Sequence, residues 1–142
     1  MKLYFAGPLF TAAERAWNEE LAAALREGGH EVFLPQDQEP GKDAAGIFAT
    51  DVRGIDGADA LVAIMDGPDP DSGTAWEVGY AYGRKPVVLV RTDIRSQTGS
   101  GASYNAMLNQ SATIRVDLPF ATAARIVAEI LEALRHLEKG AR

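Results

Sequence analysis

The sequence predicts an α/β protein: a single domain, residues 1–142, with a doubly wound sheet of five parallel strands and helices on both faces. Three observations support this prediction. Apolar runs of strand length recur along the chain, helical stretches lie between them, and the connections are short. The apolar runs are nearly continuous, which is typical of parallel strands that are buried on both faces. A chain of 142 residues is long enough to bury a normal core as one domain.

Five segments have the composition of buried strands. They are KLYFAG (2–7), EVFLP (31–35), ALVAIMD (60–66), PVVLVR (86–91) and the weaker ATIRVD (112–117). Their alternation with helices indicates a doubly wound fold, and five strands in this arrangement predict its flavodoxin-like form.

Two of the intervening helices have clear apolar stripes. The first begins with a capping box at Thr11 and Glu14 and ends at Gly28-Gly29. The last extends over about 119–139. The stripe of the first helix is Trp17, Leu21 and Leu25, and that of the last is Ile126, Ile130, Leu134 and Leu137.

The composition excludes several classes of function. A net charge of -6 argues against binding to a nucleic acid backbone. No apolar run approaches the roughly 18 residues that a membrane-spanning helix requires. The absence of cysteine excludes disulfides, thiol catalysis and cysteine-ligated metal centres. Because strand-like sequence begins at the N-terminus without a signal-peptide pattern, we expect a cytoplasmic protein with no membrane or nucleic-acid partner.

Polar and glycine-rich segments follow the first four predicted strands. They are Gly7-Pro8 and residues 36–38, 66–73 and 92–105. Because ligands bind beyond the carboxyl ends of strands in such sheets, we expect one crevice to collect these segments. Tyr4 lies in the first strand, and its hydroxyl either fills the core with a single partner or donates a hydrogen bond to a carboxylate.

Glu77 permits two interpretations. Thr74-x-x-Glu77 matches a capping box, in which Glu77 would accept a hydrogen bond from the backbone N–H of Thr74. In the functional interpretation, the helix dipole keeps a carboxylate at the N-terminus ionised and available as a nucleophile. Gly73 would then let a substrate approach the backbone closely.

Asp51 interrupts an otherwise regular pattern. On a helix through 44–58 the predicted buried stripe is Phe48, Val52 and Ile55. Asp51 falls at the edge of that stripe, so its carboxylate must be paired, capped or raised in pKa by desolvation. A raised pKa would suit a general acid, whereas a different helix phase would leave Asp51 exposed at the rim. Asp51 and Glu77 together predict a hydrolase or transferase that acts through two carboxyl groups.

The titratable residues form no metal-site pattern. Asp66, Asp69 and Asp71 follow the third strand, but the glycine and the final glutamate of a calcium loop are not at the required spacing. His30 and His136 have no partner at the spacing of a metal site or a catalytic triad. The chain also lacks a P-loop and a dinucleotide-binding glycine motif. We therefore predict no metal and no cofactor.

Five segments together resemble the nucleoside 2-deoxyribosyltransferase family. They are KLYFAGPLF, EVFLPQDQ, TDVRGIDGADALVAIMD, DSGTAWEVGYAYGRKPVVLV and YNAML, and they follow the family's order. The most specific part is Asp71-x-Gly73-x-x-x-Glu77-x-Gly79 after a strand. The resemblance implies transfer of 2-deoxyribose between nucleobases, with slow hydrolysis of deoxynucleosides as a side reaction.

The resemblance also implies roles for individual residues. Glu77 matches the nucleophile that forms a covalent deoxyribosyl intermediate, so two inversions give overall retention. Tyr4 matches the tyrosine that holds this glutamate, and Asp51 matches an acid that protonates the leaving base. Asp71 matches the residue that binds the sugar 5′-hydroxyl.

Other matches concern substrate contacts. Gln38 and Gln36 correspond to residues that contact the nucleobase. Gly7, at the end of the first strand, and Gly73 are placed among the substrate-binding residues. The implied ligands are deoxynucleosides and free nucleobases.

A last group of matches concerns a neighbouring subunit. Asn105 matches an asparagine that the neighbour contributes to the site, with Met107 close by, and Asn109 is the alternative asparagine. The resemblance therefore implies a homo-oligomer with shared active sites, either a dimer or a trimer of dimers.

Three other functions stay open. Deoxynucleoside 5′-monophosphate N-glycosidases share the fold and the glutamate, but tend to have a serine in place of Asp71 to accept a phosphate. A carboxylate there would repel a phosphate dianion by on the order of a few kcal/mol, although Ser72, Ser100 and Ser103 keep a phosphate site open. A phosphoribohydrolase of the cytokinin-activating type has a similar Gly-Thr-x-x-Glu. A non-catalytic nucleoside-binding module is the alternative outside the enzymes.

Overall fold

The computed structural model describes residues 1–38, 40–94 and 104–140, and the predicted order of strands and helices is confirmed there. The strands are β1 (Lys2–Ala6), β2 (Glu31–Phe33), β3 (Ala60–Ile64), β4 (Val87–Arg91) and β5 (Ile114–Asp117). The helices are α1 (Ala12–Glu27), α2 (Ala44–Gly57), α3 (Ser72–Ala81), α4 (Ala106–Ser111) and α5 (Ala123–Gly140), with a 3-10 helix at Pro35–Asp37.

The strands form one parallel sheet in the order β2-β1-β3-β4-β5. This is the strand order of the flavodoxin-like doubly wound fold, so the predicted fold class is confirmed. β1 pairs with both β2 and β3, and Tyr4 is aligned with Phe33 on one side and Leu61 on the other. Tyr4 therefore lies inside the sheet and not at its edge.

Alternate residues of the strands bury their side chains in two separate cores, as the period of two along a strand requires. Leu3, Phe5 and their equivalents on the other strands pack against α1 and α5. Tyr4, Ala6 and their equivalents pack against residues of α2 and α3, such as Ile55 and Val78. Tyr4 therefore faces the layer of helices that carries Asp51 and Glu77.

The apolar stripes predicted for the first and last helices are confirmed. Their buried members are Leu21, Leu25, Ile126, Ile130 and Leu134, and Trp17 and Leu137 pack against the same core while partly exposed. None of the helices in the described ranges has both the length and the apolar character required to cross a bilayer.

Several predicted boundaries and one helix phase are wrong. β2 ends at Phe33 because Pro35 begins the 3-10 helix. α5 begins at Ala123, not near 119, because the preceding turn contains Phe120 with a positive φ of 59°. In α2 the predicted stripe is wrong at Phe48, which is 58% exposed, whereas Thr50 and Ile55 are buried. The Phe48 ring packs across to Trp76 of α3 instead, with 5.3 Å between ring centroids.

Gly54 of α2 generates a prediction about packing. A Cβ added at Gly54 would lie 2.7 Å from Cε1 of Phe33, and that ring is itself stacked on Tyr4. Because the ring cannot retreat freely, we expect Gly54→Ala to lower the free energy of unfolding by about 1–3 kcal/mol.

Gly57→Ala in the same helix is the matched control, since a Cβ at Gly57 meets no atom within 4 Å. There the higher helix propensity of alanine should raise the free energy of unfolding, by at most about 1 kcal/mol. Urea denaturation of both variants measures the difference. Equal effects of the two substitutions would contradict the proposed close contact.

Candidate active site

Glu77 accepts a hydrogen bond from the hydroxyl of Tyr4. The distance from Tyr4 Oη to Glu77 Oε1 is 2.5 Å. Tyr4 is completely buried, and its ring stacks on Phe33 with 5.3 Å between centroids and 16° between planes. The sheet core therefore fixes one carboxylate oxygen of Glu77 in place.

The capping interpretation of Glu77 is wrong. Asp71 is the N-cap of α3, and its Oδ2 accepts hydrogen bonds from the backbone N–H of Thr74 (2.9 Å) and from the Thr74 hydroxyl (3.1 Å). Because the helix begins at Ser72, Glu77 lies in the second turn and not in the first. The field of the helix dipole falls off within the first turn, so it does not hold Glu77 ionised as predicted.

Burial governs the ionisation of Glu77 instead. Desolvation raises its pKa from an ordinary 4.5 to about 7, although the hydrogen bond from Tyr4 lowers it in part. The negative charges of Asp51 and Asp71 raise it further. Near neutral pH, Glu77 is therefore present in both protonated and ionised forms.

Glu77 opens onto a cavity of about 430 Å³ between α2 and α3. Its described lining residues are Ala44, Ile47, Phe48 and Asp51 from α2, and Gly73, Trp76 and Glu77 from α3. Each helix contributes residues three and four positions apart, including one adjacent pair, which places them on one helix face. Most of the wall is apolar, and the polar side chains in it are two carboxylates and one indole.

The structure brings four other predicted site residues close to Glu77. Asp51 is half-buried at the cavity and is close enough to raise the pKa of Glu77. Gly73 lines the same wall as Glu77, and Tyr4 lies behind Glu77. Asp71 is adjacent at the start of α3, and its charge also reaches Glu77.

Gln36 is not brought to this cavity. Its side chain is 7% exposed, and Nε2 donates to the carbonyl oxygen of Arg15 at 3.0 Å while Oε1 accepts from Asn18 Nδ2 at 3.3 Å. Both ends of the amide are therefore used by α1, which leaves Gln36 the role of tying the 3-10 helix to α1. The predicted nucleobase contact by Gln36 does not fit this arrangement.

Gln38 and Gly7 also lie outside the lining of this cavity. Gln38 is exposed at the end of the 3-10 helix, and a Cβ at Gly7 would lie 3.1 Å from Oδ1 of Asn18. Pro8, Asp66 and Gly67 instead line a second cavity of about 210 Å³ beside α1. The described parts of the polar segments therefore do not meet in one cavity as expected, because Gly73 lines the first cavity whereas Pro8, Asp66 and Gly67 line the second; residues 95–103 of the last segment lie outside the described residues.

Part of the acidic loop after β3 belongs to a buried ionic network. Asp66 accepts hydrogen bonds from the N–H and the hydroxyl of Thr92, each at 2.6 Å. Arg91 is completely buried, pairs with Asp93 at 3.2 Å and donates to the carbonyl oxygen of Gly67 at 2.9 Å. These contacts join the loops after β3 and β4. Within the ranges that the structure describes, no group of three or more His, Asp or Glu residues could hold a metal ion.

Asn105 and Met107 do not line the cavity of their own chain. Asn105 is the N-cap of α4, where its Oδ1 accepts from the backbone N–H of Met107 at 2.8 Å, and Met107 is 79% exposed. Oδ1 of Asn109 is shielded from solvent without a hydrogen-bond partner in the described part of the chain. Ser100 and Ser103 lie outside the described residues.

Sequence reasoning missed the aromatic part of the cavity wall. The periodicity of α2 predicts Phe48 in the core, and Trp76 belongs to none of the predicted sites. A signal was present, because Phe48 lies one helical turn before Asp51 and Trp76 is adjacent to Glu77.

Fold and cavity define a flavodoxin-like α/β protein with an acidic site, in which a buried tyrosine holds one carboxylate and a second carboxylate shares the cavity. The chain belongs to the nucleoside 2-deoxyribosyltransferase family, an enzyme family whose model matches residues 3–116. A search of curated proteins gave no match.

Solved structures agree with this assignment. A conserved protein from Enterococcus faecalis V583 is 28% identical, with 94% of this chain and 98% of that chain covered and a TM-score of 0.75. The 2-deoxyribosyltransferase of Bacillus psychrosaccharolyticus is also 28% identical, with 89% and 90% covered and a TM-score of 0.69. A CMP N-glycosidase from Clostridium botulinum shares the fold at 17% identity, with 92% and 98% covered and a TM-score of 0.67.

The raised pKa of Glu77 predicts a pH-dependent stability. Below pH 4.5 both the folded and the unfolded protein carry the proton on Glu77. Between pH 4.5 and about 7 the unfolded chain ionises first, so the free energy of unfolding falls, by at most about 3 kcal/mol in total. Above pH 7 this destabilisation is constant.

Glu77→Gln should therefore stabilise the protein relative to the native chain at pH 8, and much less at pH 4.5. Tyr4→Phe removes a contact that lowers the pKa of Glu77, so it should extend the loss of stability to higher pH. Denaturant unfolding across this pH range checks both expectations. A difference between native and Glu77→Gln proteins that does not change with pH would contradict the raised pKa.

Proposed function

We propose that this protein transfers 2-deoxyribose from a deoxynucleoside to a second nucleobase through a covalent intermediate on Glu77. The observation that carries the proposal is the carboxylate held by Tyr4 at 2.5 Å, facing a cavity that Asp51 also lines. Membership of the family supports the same chemistry. Hydrolysis of deoxynucleosides would be a slow side reaction, in which water replaces the acceptor base.

In the first step, ionised Glu77 attacks the anomeric carbon of the sugar and the glycosidic C–N bond breaks. The bonding electron pair goes to the base nitrogen, and Asp51 supplies the proton that the departing base requires. An incoming base then gives its N–H proton to the Asp51 carboxylate, attacks the anomeric carbon from the opposite side and releases Glu77, which leaves Asp51 protonated for the next cycle. Two inversions retain the configuration at that carbon.

The environment of Glu77 fits a nucleophile in an oxocarbenium-like reaction. Its negative charge lies where positive charge develops on the sugar, in a mostly apolar cavity that weakens the screening by water. Tyr4 fixes the direction of the carboxylate and limits the rise of its pKa. Because only the ionised form attacks, activity should rise with pH through about 7.

Glu77 substitutions and base exchange test the proposal. The native protein incubated with deoxyinosine should release hypoxanthine slowly, and should form a new deoxynucleoside when adenine or cytosine is added. Glu77→Ala and Glu77→Gln should lower both rates by at least about a thousandfold, because they remove the attacking carboxylate.

Chromatographic separation of bases and nucleosides measures both reactions, and circular dichroism checks that the variants are folded. Base release that never leads to a new nucleoside would favour the N-glycosidase alternative. Near-native turnover by folded Glu77→Ala would remove Glu77 from the mechanism.

Asp71 generates a prediction about the 5′ end of the substrate. The carboxylate should accept a hydrogen bond from a 5′-hydroxyl and repel a phosphate, since the described lining residues of the cavity include no cation. Free deoxynucleosides should therefore exceed their 5′-monophosphates in kcat/KM by roughly 100-fold or more.

Asp71→Ser should lower the ratio of kcat/KM for a free deoxynucleoside to that for its 5′-monophosphate. Serine is also a good N-cap, so α3 should keep its start while the charge is lost. Steady-state kinetics on deoxyadenosine and its 5′-monophosphate give the ratio. Preference of the native protein for the monophosphate would favour the N-glycosidase and overturn this role of Asp71.

Asn105 generates a prediction about assembly. Its exposed position outside the cavity of its own chain supports a role in a neighbouring site. Asn105→Ala and Glu77→Ala proteins should each be weakly active, whereas mixing them should restore activity through hybrid sites. A parallel mixture with Asn109→Ala in place of Asn105→Ala tests the alternative asparagine. Light scattering measures the oligomeric state. A fully active monomer would contradict shared sites.

A further inference from the structure

Four side chains form a continuous row at the protein surface. One belongs to α2, two belong to α3 and the last follows α3. Trp76 stacks on Tyr80, with 5.1 Å between centroids and 14° between planes, and Phe48 packs on Trp76 at 5.3 Å and 58°. The guanidinium carbon of Arg84 lies 4.3 Å from the ring centroid of Tyr80. We call Phe48, Trp76, Tyr80 and Arg84 the aromatic row. Arg84 closes one end of it, and the other end reaches the cavity that contains Glu77.

The row is held in place before any ligand binds. The Tyr80 hydroxyl donates to Oδ1 of Asp56 at 3.1 Å, which connects α3 to the end of α2. Tyr80 is thus fixed by a hydrogen bond and by the cation above its ring, and it supports Trp76 in turn. Phe48 and Trp76 nevertheless remain 58% and 46% exposed. Large apolar rings that are both fixed and exposed at a cavity are suited to bind an apolar or aromatic ligand.

The two exposed rings lie beside the groups that would perform the chemistry. Phe48 precedes Asp51 by one helical turn on α2, and Trp76 is adjacent to Glu77 on α3. In the proposed reaction the anomeric carbon lies at Glu77 and the base extends toward Asp51. The base must therefore pass between these two carboxylates and along the two rings.

We propose that Phe48 and Trp76 bind the nucleobase through its aromatic face, and that the protein accordingly prefers purines to pyrimidines. This inference rests on the proposed function for the location of the base. Apart from the carboxylates, the side chains from Ala44, Ile47, Phe48 and Trp76 offer the base one hydrogen-bonding group, the indole N–H. The affinity for a base then depends more on its stacking area than on the hydrogen-bonding groups along its edge. A bicyclic purine offers a larger stacking area than a monocyclic pyrimidine.

A binding experiment tests the inference without any turnover. The chain has two tryptophans, so Trp17→Phe leaves Trp76 as the only one. Adenine and cytosine titrated into this variant should both change its fluorescence, with a Kd about tenfold lower for adenine. Adding Phe48→Ala should raise the Kd of adenine about tenfold and that of cytosine less, since one stacking contact is lost.

Two further variants make the test specific. Phe48→Leu keeps an apolar side chain without an aromatic face, so it should also lose the purine preference, and it carries the test if Phe48→Ala does not fold. Tyr82→Ala is the matched control, because Tyr82 is 61% exposed next to α3 but does not line the cavity. Tyr82→Ala should leave both Kd values unchanged.

Kinetics separate this inference from the proposed function. The ratio of kcat/KM for deoxyadenosine to that for deoxycytidine should fall in Phe48→Ala, by less than about tenfold because cytosine also loses some contact, and should stay constant in Tyr82→Ala. Normal turnover with an unchanged ratio and unchanged Kd values in Phe48→Ala would overturn the inference and leave the proposed function standing. Base binding that depends on Phe48, in a protein that turns over no deoxynucleoside, would support the inference and remove the proposed function.

Discussion

The site depends on one hydrogen bond, from the buried hydroxyl of Tyr4 to the carboxylate of Glu77. A hydroxyl enclosed in the core between the sheet and α3 would be costly without a partner, and a carboxylate in an apolar cavity needs a donor. Each group therefore makes the burial of the other tolerable. Because Tyr4 lies in β1, which pairs with both β2 and β3, the hydrogen bond attaches Glu77 to an interior strand of the sheet.

The same tyrosine is also connected to the other wall of the cavity through Phe33. Its ring stacks on Phe33, and Phe33 in turn lies against Gly54, where the absence of a side chain lets α2 approach the sheet. One helical turn before Gly54 on α2 is Asp51. A single line of contacts thus runs from Glu77 through the sheet edge to the opposite carboxylate, and a change in the packing of Phe33 would move both walls relative to each other.

The sequence alone predicted the order of the strands and the proximity of Glu77, Tyr4 and Asp51, because these follow from local patterns and from a family motif. The start of α3 could not be predicted in the same way. Both Asp71 and Thr74 are good N-caps, and the loop that leads to them makes tertiary contacts, such as that between Asp66 and Thr92, which no local pattern reveals. Periodicity likewise placed Phe48 on the apolar side of α2, but its partner, Trp76, belongs to a different helix. Phase errors of this kind arise where an apolar side chain lines a cavity instead of the core.

The desolvation that raises the pKa of Glu77 to about 7 also bears on the fate of the proposed intermediate. Ionised Glu77 is high in free energy because it is buried near the charges of Asp51 and Asp71, and forming a neutral ester with the sugar removes that cost. The same property makes Glu77 a poorer leaving group than an ordinary glutamate, so the ester should persist longer. A longer-lived intermediate gives the first base time to leave and a second base time to bind. A poorer leaving group slows attack by water and by base alike, so the choice between transfer and hydrolysis depends on the mostly apolar wall of the cavity, which offers a water molecule few hydrogen-bond partners and a nucleobase an apolar surface.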